Sequence, residues 1–490
     1  MPQAGTTFTT HRVAQARVFE LPQHVTENVL VVARDGTVLV GMTCALPEQA
    51  GGLLRTRDGG ETWQLVAPHV AGDPHPVLNA AMGSLALDPA TGRLFASSMG
   101  DPTFAVEGAW AEKIAKLTRK RESWSDTVAY TDDCGDSWQV VRGQFRDGGD
   151  WGKTFLGAPA RSSSRDILAK NDYPNVIYHC AGATFSTTLY CWRSLDGGRS
   201  FERTKSPVFC DYDARTPLPY PAQPDVDTPG RDDKHTLAGP GIVTRDGRIC
   251  IPANINGLPR LYVSEDEGDS WTYRPIDVAN VRGKKTYGTI LGFQEPPNAG
   301  KPLKPQQPFH AYYGSTAMSA LWSQQLALDE HESFYLGWID ALDDLPYVSV
   351  SRDRGVTWSE PVCVSPPEIE MASIGAIAVG RPGEVAVAYY ASRDGGESFD
   401  ACVSVTRDVF AGIPSVRTAY VSPSKPLQPN RLSEPIELVG VAFAPDGRVW
   451  ASFARDNHVL DLKSEARQCD GNFKYNGTRF TSVVVRIEPS

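Results

Sequence analysis

Apolar runs and short polar turns alternate along most of the 490-residue chain. Seven times, an apolar run, a tight polar turn that often contains glycine, and a second apolar run follow one another. These seven units lie at 28–42, 84–98, 167–180, 241–253, 325–338, 374–390 and 439–453. Period-two alternation with tight turns is typical of antiparallel hairpins. The pattern therefore predicts seven repeats of a small β-sheet and no long helix.

A second repeat has the form Asp-x-Gly-x-Ser/Thr followed by an aromatic residue, and we call it the Asp turn. It occurs at 57–63, 130–138, 195–201, 265–271, 352–358 and 393–399. The Asp can accept backbone hydrogen bonds, the Gly permits a positive φ, and the aromatic ring can pack beside the turn. These roles are structural, so we do not expect the aspartates in an active site.

The Asp turn resembles the Asp box, or BNR repeat, of sialidase-like β-propellers. In that family the box joins the third and fourth strands of a blade, on the face away from the active site. The resemblance covers most of the chain and implies a single β-propeller domain over residues 1–490. Five of the six turns follow a hairpin and one further strand, as the family requires. The sixth, at Asp394, directly follows a second strand and is predicted to lie on the opposite face.

The number of hairpins predicts an all-β, seven-bladed β-propeller. The last hairpin is followed by only one further strand, and the N-terminal run 12–20 has no partner of its own. If this run is the outer strand of the last blade, it closes the ring and removes open sheet edges. A six-bladed propeller of the sialidase type is the alternative.

The predicted strands and turns of seven blades account for only part of the chain, and most of the remaining residues lie in five long inserts. They lie at about 100–126, 143–166, 205–239, 277–319 and 456–479. In the predicted topology all five are on one face, while the other face keeps short turns. Long ordered loops on a rigid scaffold usually carry function. The loop-rich face is therefore the expected functional face.

Composition narrows the possible partners. The formal charge is −10, from 58 acidic and 48 basic side chains, without a basic stripe for nucleic acid. No apolar run is long enough for a transmembrane helix, so no membrane partner is expected. The start does not have a signal-peptide pattern, whereas the resemblance implies a secreted or extracytoplasmic protein, so the localisation stays open. A monomer with a carbohydrate or other small-molecule ligand is expected.

The cysteines and the acidic 205–239 insert do not settle whether the chain has disulfides or a bound metal ion. The nine cysteines leave at least one unpaired thiol, and Cys180 and Cys191 either face each other across a hairpin or are free buried thiols. The aspartates of the 205–239 insert could bind Ca²⁺, but their spacing matches no known calcium loop. We expect no other cofactor.

The strand ends that face the channel mouth supply the candidate site residues. The catalytic candidates are Glu27, Asp101, His235 and Asp340. The substrate-binding candidates are Lys153, Arg161, Asn254, Asn256, Tyr312, Tyr390 and Asp456. Carboxylates converging on a cleft suit a glycosidase, which needs a general acid and a nucleophile or base. A His and a Tyr beside a neutralising Arg would instead suit proton abstraction by a lyase.

The family comparison does not favour a true sialidase. Sialidases carry an Arg-Ile/Leu-Pro motif before the first inner strand, and its Arg grips the substrate carboxylate. The corresponding place reads Val25-Thr26-Glu27-Asn28 here, where Glu27 would repel an anionic sugar. The leading hypothesis is thus a propeller enzyme acting on a glycan or glycoside, with a hydrolase favoured over a lyase. The alternatives are a non-catalytic binding propeller and a propeller enzyme of small-molecule metabolism.

Overall fold

A computed structural model describes residues 9–21, 28–42, 52–66, 84–99, 126–141, 144–145, 150–182, 189–209, 237–255, 258–279, 325–340, 343–396, 398–428, 439–456 and 480–489. Seven antiparallel sheets form the blades of a propeller. The chain starts with two strands, β1 (Thr10–Val13) and β2 (Ala16–Leu21), which belong to the last two blades.

Each blade runs outward from an innermost strand. Blade one contains β3 (Asn28–Val32), β4 (Val38–Met42), β5 (Gly52–Thr56) and β6 (Gln64–Leu65). Blade two contains β7 (Ser84–Leu87), β8 (Leu94–Met99), β9 (Asp126–Thr131) and β10 (Gln139–Val141). Blade three contains β11 (Asp150–Gly157), β12 (Val176–Gly182), β13 (Leu189–Ser194) and β14 (Glu202–Arg203). Blade four contains the inner strands β15 (Leu237–Ala238) and β16 (Ile242–Val243), then β17 (Ile249–Ile255), β18 (Leu258–Ser264) and β19 (Thr272–Pro275).

The remaining blades follow the same order. Blade five contains β20 (Leu326–Leu328), β21 (Phe334–Ile339), β22 (Pro346–Ser351) and β23 (Val362–Cys363). Blade six contains β24 (Met371–Val379), β25 (Val385–Ser392), β26 (Asp400–Thr406) and β27 (Ser415–Tyr420), with β1 outside β27. Blade seven contains β28 (Gly440–Phe443), β29 (Val449–Asp456) and β30 (Phe480–Ile487), with β2 outside β30. Neighbouring innermost strands contact each other around the ring, and β28 contacts β3.

The predicted seven blades and their closure by an N-terminal strand are confirmed. Residues 16–21 pair antiparallel with β30, from Ala16 opposite Ile487 to Leu21 opposite Ser482. The predicted closing run 12–20 is nevertheless divided, because β1 pairs in parallel with β27 and belongs to blade six. The core lies between blades, where large side chains such as Phe95 and Phe334 have no exposed surface. Burying such a ring stabilises the fold by about 1.5–3 kcal/mol.

The prediction for the start of blade three is wrong. The innermost strand is β11, at 150–157, which lies inside the predicted insert 143–166. The run from Ile167, predicted as a first strand, is part of a helix, α1 (Ser162–Lys170). This helix joins the first and second strands of the blade and so lies on the face predicted to have only short turns. The other four inserts fall almost entirely outside the described residues.

The N-terminus of this helix contacts a carboxylate from another blade. Its N-cap residue, Arg161, makes no side-chain cap of its own. Instead the Arg161 amide and the Ser164 hydroxyl donate to the two oxygens of Glu267, at 3.0 and 2.6 Å. Glu267 is fully buried in the Asp turn of blade four. A carboxylate at this position satisfies free amides and favours the helix dipole.

The Asp turns owe their shape to one set of hydrogen bonds. In blade one the Thr62 amide and hydroxyl donate to the Asp58 carboxylate, at 3.0 and 2.5 Å. The Thr56 hydroxyl also donates to Asp58, and it accepts the amide of Gly60, whose φ of 98° favours glycine. These bonds, that of the Thr62 hydroxyl above all, hold the pKa of Asp58 far below its ordinary value.

Five Asp turns join third and fourth strands, and they define the Asp-turn face of the ring. The turn at Asp394 makes the same bonds, with the Ser398 amide and hydroxyl at 3.0 and 2.6 Å from its carboxylate. It lies between β25 and β26, which are second and third strands. Its predicted position on the opposite face is confirmed, although its geometry is that of the other five.

Every Asp turn on the Asp-turn face accepts a hydrogen bond from an arginine of the preceding blade. We call these donors the inter-blade arginines. Their guanidinium groups donate to a turn carbonyl oxygen, in the pairs Arg486–Gly59, Arg55–Cys134, Arg93–Gly197, Arg161–Asp266 and Arg274–Arg354. Arg407 of blade six binds the Gly447 carbonyl of blade seven in the same sense, at 2.9 Å. In the part of the chain that the structure describes, six of the seven blade junctions are therefore linked head to tail by an arginine as well as by the apolar core.

Candidate functional site

A cluster of charged and aromatic side chains lies on the face opposite the Asp turns. It consists of Glu368, Arg393, Asp400 and Tyr420, and we call it the rim site. Glu368 lies between β23 and β24, and Arg393 opens the sixth Asp turn. Asp400 is the first residue of β26 and Tyr420 the last residue of β27. Because successive strands alternate in direction, these positions share one face of the ring.

Tyr420 and Glu368 form a hydrogen-bonded pair, in which the phenol hydroxyl donates to the carboxylate. The guanidinium of Arg393 lies over the Tyr420 ring, 4.5 Å from its centroid. Burial and the neighbouring Glu368 raise the pKa of Tyr420. Burial alone would raise the pKa of Glu368, but the Tyr420 hydrogen bond and nearby cations such as Arg393 bring it below its ordinary value. Glu368 is therefore ionised at neutral pH.

Asp400 is a partly buried carboxyl of the rim site. Burial raises its pKa to about 6, against the opposing effect of backbone hydrogen bonds, Arg393 and Arg455. Its two oxygens accept the Ser422 amide at 2.9 and 3.2 Å, which fixes the carboxyl group. A carboxyl with such a pKa is partly protonated near neutral pH and can donate a proton.

Arg455 supports this arrangement from the side of blade seven. Its guanidinium pairs with Glu20 and donates to the Ser422 hydroxyl at 3.2 Å. The Arg455 side chain is 7% exposed, whereas that of Glu20 is 65% exposed. The strand β2, which closes the ring, thus also supplies the counter-ion next to the rim site.

These groups have complementary chemistry. Asp400 can act as a general acid, and the Tyr420 hydroxyl can act as a nucleophile when Glu368 takes its proton. Arg393 over the ring would stabilise the negative charge that develops on the phenol oxygen. Because Arg393 and Glu368 are exposed, a ligand can reach this cluster.

A second polar cluster lies deeper, between blades two and three. His179 Nε2 is 2.8 Å from Asp126 Oδ2, and its Nδ1 is 3.0 Å from the Thr154 hydroxyl. The Thr154 amide donates to the Ser84 hydroxyl, which lies 2.6 Å from that of Ser97. We call this set the buried polar chain. Both nitrogens of His179 are occupied and the residue has no exposed surface, so the chain fastens two blades together.

The part of the chain that the structure describes contains neither a metal-binding cluster nor a membrane-spanning helix. No group of three or more His, Cys, Asp or Glu side chains there is arranged to hold a metal ion. Among the same residues, no helix has the length and apolar character needed to cross a membrane. The Asp residues of the 205–239 insert that were considered for Ca²⁺ lie outside the described residues.

Comparison with known proteins gives structural likeness only. No family model matches the chain, and no curated protein matches it. A PL25 polysaccharide lyase, an ulvan lyase, is similar with a TM-score of 0.46 and 12% identity, over 90% of this chain and 93% of that one. A Hadza microbial sialidase has a TM-score of 0.36 and 14% identity, over 81% and 66% of the two chains. The Aleuria aurantia lectin has a TM-score of 0.39 and 11% identity, over 78% and 93%.

Four of the eleven predicted site residues have side chains that the structure describes. Glu27, Asp101, His235, Asn256 and Tyr312 lie outside the described residues, as do the side chains of Asn254 and Asp456. The other four are Asp340, Lys153, Arg161 and Tyr390, and they belong to blades three, five and six.

Two predicted residues near the mouth are buried. Asp340, 3% exposed, accepts the Trp338 indole N–H at 3.0 Å in blade five. Lys153, 4% exposed, is in β11 between Gly152 and Thr154. Because Thr154 points to blade two, the alternation of the strand directs Lys153 toward blade four.

Arg161 and Tyr390 both make contacts within the propeller scaffold. Arg161 lies on the Asp-turn face, where it binds Asp266 and Asp269 of blade four. The misplaced inner strand of blade three caused this error. Tyr390 has no exposed surface, and its hydroxyl accepts the Ala454 amide and donates to the Ala454 carbonyl, both at 2.9 Å. A hydroxyl used in this way binds no substrate.

The rim residues were not among the sequence predictions. Glu368, Arg393, Asp400 and Tyr420 come from four separate segments of blades five and six, without a shared motif. One signal was available, because the turn that begins at Arg393 was correctly placed on the opposite face. Its flanking residues were therefore candidates for that face.

Proposed function

We propose that the chain is a glycan-active member of the sialidase-like propellers, and that it cleaves a glycosidic bond at the rim site. The Asp turns support the family part of the proposal, since five of them have the spacing and the strand positions of Asp boxes. The similar structures named above include a sialidase, a polysaccharide lyase and a lectin.

One observation carries the catalytic part. A partly buried carboxyl with a pKa raised to about 6, that of Asp400, lies near an exposed Tyr–Glu pair on the face opposite the Asp turns. Glycosidases need an acid for the leaving group and a second group that attacks the anomeric carbon or activates water. In the proposal, Asp400 is the acid, Tyr420 the nucleophile and Glu368 its base.

The test begins with a panel of phenyl glycosides of neutral, amino and acidic sugars. On the best substrate, we expect Asp400→Asn and Tyr420→Phe each to lower kcat/KM by about 10²–10⁴-fold. A dinitrophenyl leaving group needs little protonation, so it should restore most of the activity of Asp400→Asn but not that of Tyr420→Phe. This split distinguishes the acid from the nucleophile.

The chain offers a matched control for the tyrosine. Tyr273 of blade four also carries an arginine over its ring, with Arg260 4.2 Å from the centroid. Tyr273→Phe should leave turnover unchanged. If the rim variants retain full activity on every substrate, the rim site is not the active site. If glycans bind without turnover and the rim variants abolish that binding, the protein is a lectin-like propeller.

A further inference from the structure

Blade six lacks a regular turn on the Asp-turn face. In its place, residues 407–414 join β26 to β27. Asp408 keeps half of the usual pattern, since its Oδ1 accepts the Thr406 hydroxyl at 2.8 Å and the Ser415 amide at 3.0 Å. Four residues after Asp408, where the other turns have Ser or Thr, the chain has Gly412. Among the described residues, Asp408 Oδ2 therefore has no hydrogen-bond donor.

The aromatic residue of the turn is missing as well. Its position is taken by Ile413, which is 61% exposed instead of packed beside the blade. A cavity of about 170 Å³ opens next to this turn, between blades six and seven. Val405, Val449 and Ile487 form its apolar part. The cavity therefore lies beside a turn that lacks the packed aromatic residue of the Asp turns.

Some charged side chains around the cavity already have a charged partner among the described residues, and others do not. Arg407 forms an ion pair with Glu384 and donates a hydrogen bond to the Gly447 carbonyl. Glu488 is held by Arg448 at 2.9 Å and by Arg486 at 2.8 Å. Arg417, which lines the same cavity, makes no ion pair with any described residue.

The groups that are left define the ligand. They are one carboxylate oxygen from Asp408, one guanidinium from Arg417 and the hydroxyl of Ser415, beside an aliphatic surface. An anion would meet Asp408, and a cation would meet Arg417. A neutral molecule with several hydroxyl groups and an apolar C–H face satisfies all of them.

We propose that this cavity binds one neutral monosaccharide unit of a glycan. The site is on the face opposite the rim site and does not depend on it. It would hold a glycan chain without cutting it, while Asp408 accepts from sugar hydroxyls and Arg417 donates to them.

Saturation-transfer NMR with methyl glycosides of glucose, galactose, mannose and N-acetylglucosamine tests this proposal. We expect at least one to bind, and Arg417→Ala and Asp408→Asn each to weaken its binding tenfold or more. Arg260→Ala, which removes an arginine of blade four, should have no effect. Glucuronate and glucosamine serve as the anionic and cationic probes and should bind at least tenfold more weakly.

The same titration separates this site from the rim site. Binding should survive in Asp400→Asn, and turnover of phenyl glycosides should survive in Arg417→Ala. Circular dichroism checks that each variant is folded. The proposal is overturned if no neutral glycoside binds, if binding is insensitive to both cavity variants, or if a charged probe binds best.

Discussion

At the residue scale, the partly buried carboxyl of Asp400 couples stability to pH. The folded-state pKa of Asp400 is about 6, whereas an unfolded Asp titrates near about 3.9. The folded state therefore holds its proton more tightly, and stability falls as pH rises from about 4 to about 6. The loss is on the order of 2–3 kcal/mol, because one pKa unit corresponds to about 1.4 kcal/mol.

The Asp400→Asn variant has no proton to lose at this position. We expect its stability relative to wild type to increase by about 2 kcal/mol between pH 4.5 and pH 7.5. Urea unfolding of both proteins at the two pH values measures this difference. A difference that is independent of pH would mean that Asp400 titrates normally.

A second prediction concerns the buried polar chain. A Cβ added at Gly152 would lie 2.0 Å from Asp126 Oδ2 and 2.8 Å from His179 Cε1, so Gly152→Ala must push this buried hydrogen-bonded pair apart. We expect it to destabilise the protein by about 3 kcal/mol, as breaking a buried pair does. Gly412→Ala is the control, because nothing lies within 4 Å of its added Cβ. Equal thermal midpoints for the two variants would contradict this account.

At the scale of elements, a helix depends on a carboxylate about a hundred residues away. Glu267→Ala removes the acceptor for the amide of the N-cap residue Arg161 and for the Ser164 hydroxyl. We expect a loss of about 2 kcal/mol, together with faster hydrogen exchange in 162–170. Glu265→Ala, which breaks only an exposed pair with Arg248, should cost about 0.5 kcal/mol or less.

This helix also shows why the sequence predicted some elements and not others. Six of the seven predicted hairpins are present, because period-two alternation and turn residues act locally. The hairpin expected from Ile167 is absent, since the helix is capped by Glu267 of the next blade, and that contact is invisible in the local sequence. The turn at Asp394 is a related case. Its hydrogen bonds depend on the local sequence, whereas the face of the ring on which it lies depends on the order of the strands.

The candidate site was harder to predict for the same reason. Tyr420 and Glu368 are 52 positions apart and form their pair only when blades five and six are assembled. The raised pKa of Asp400 comes from burial, which alternation along β26 does not reveal. Sequence reasoning identified the face but not the residues on it.

At the scale of the whole molecule, the arginines that link neighbouring blades differ in how deeply they are buried, and we expect their contributions to stability to differ accordingly. Arg55 and Arg57 of blade one both bind Asp136 of blade two, at 2.7 and 2.8 Å. The Arg55 side chain is 3% exposed and that of Arg57 is 49% exposed. We expect Arg55→Met to destabilise the protein by about 3 kcal/mol and Arg57→Met to have a much smaller effect.

Urea unfolding of the two variants measures this contrast. Comparable losses would show that the inter-blade arginines are ordinary surface charges. Proteolysis with trypsin, followed by mass spectrometry, adds a spatial readout. Early cleavage in Arg55→Met should occur in blades one and two.

The inter-blade arginines also give the ring a polarity. In the described ranges, five of the seven blades present a donor arginine on one side and an acceptor turn on the other, as subunits do in a cyclic oligomer with heterologous interfaces. Within those ranges, blade five has only the acceptor turn of this pattern, and blade six has only the donor. A closed ring uses every such pair, whereas a piece of the chain cut between two blades would expose one unpaired end of each kind. Such pieces would be self-complementary, and they would polymerise head to tail or close into rings with a different number of blades. The same contacts that complete the monomer therefore make its fragments prone to assembly.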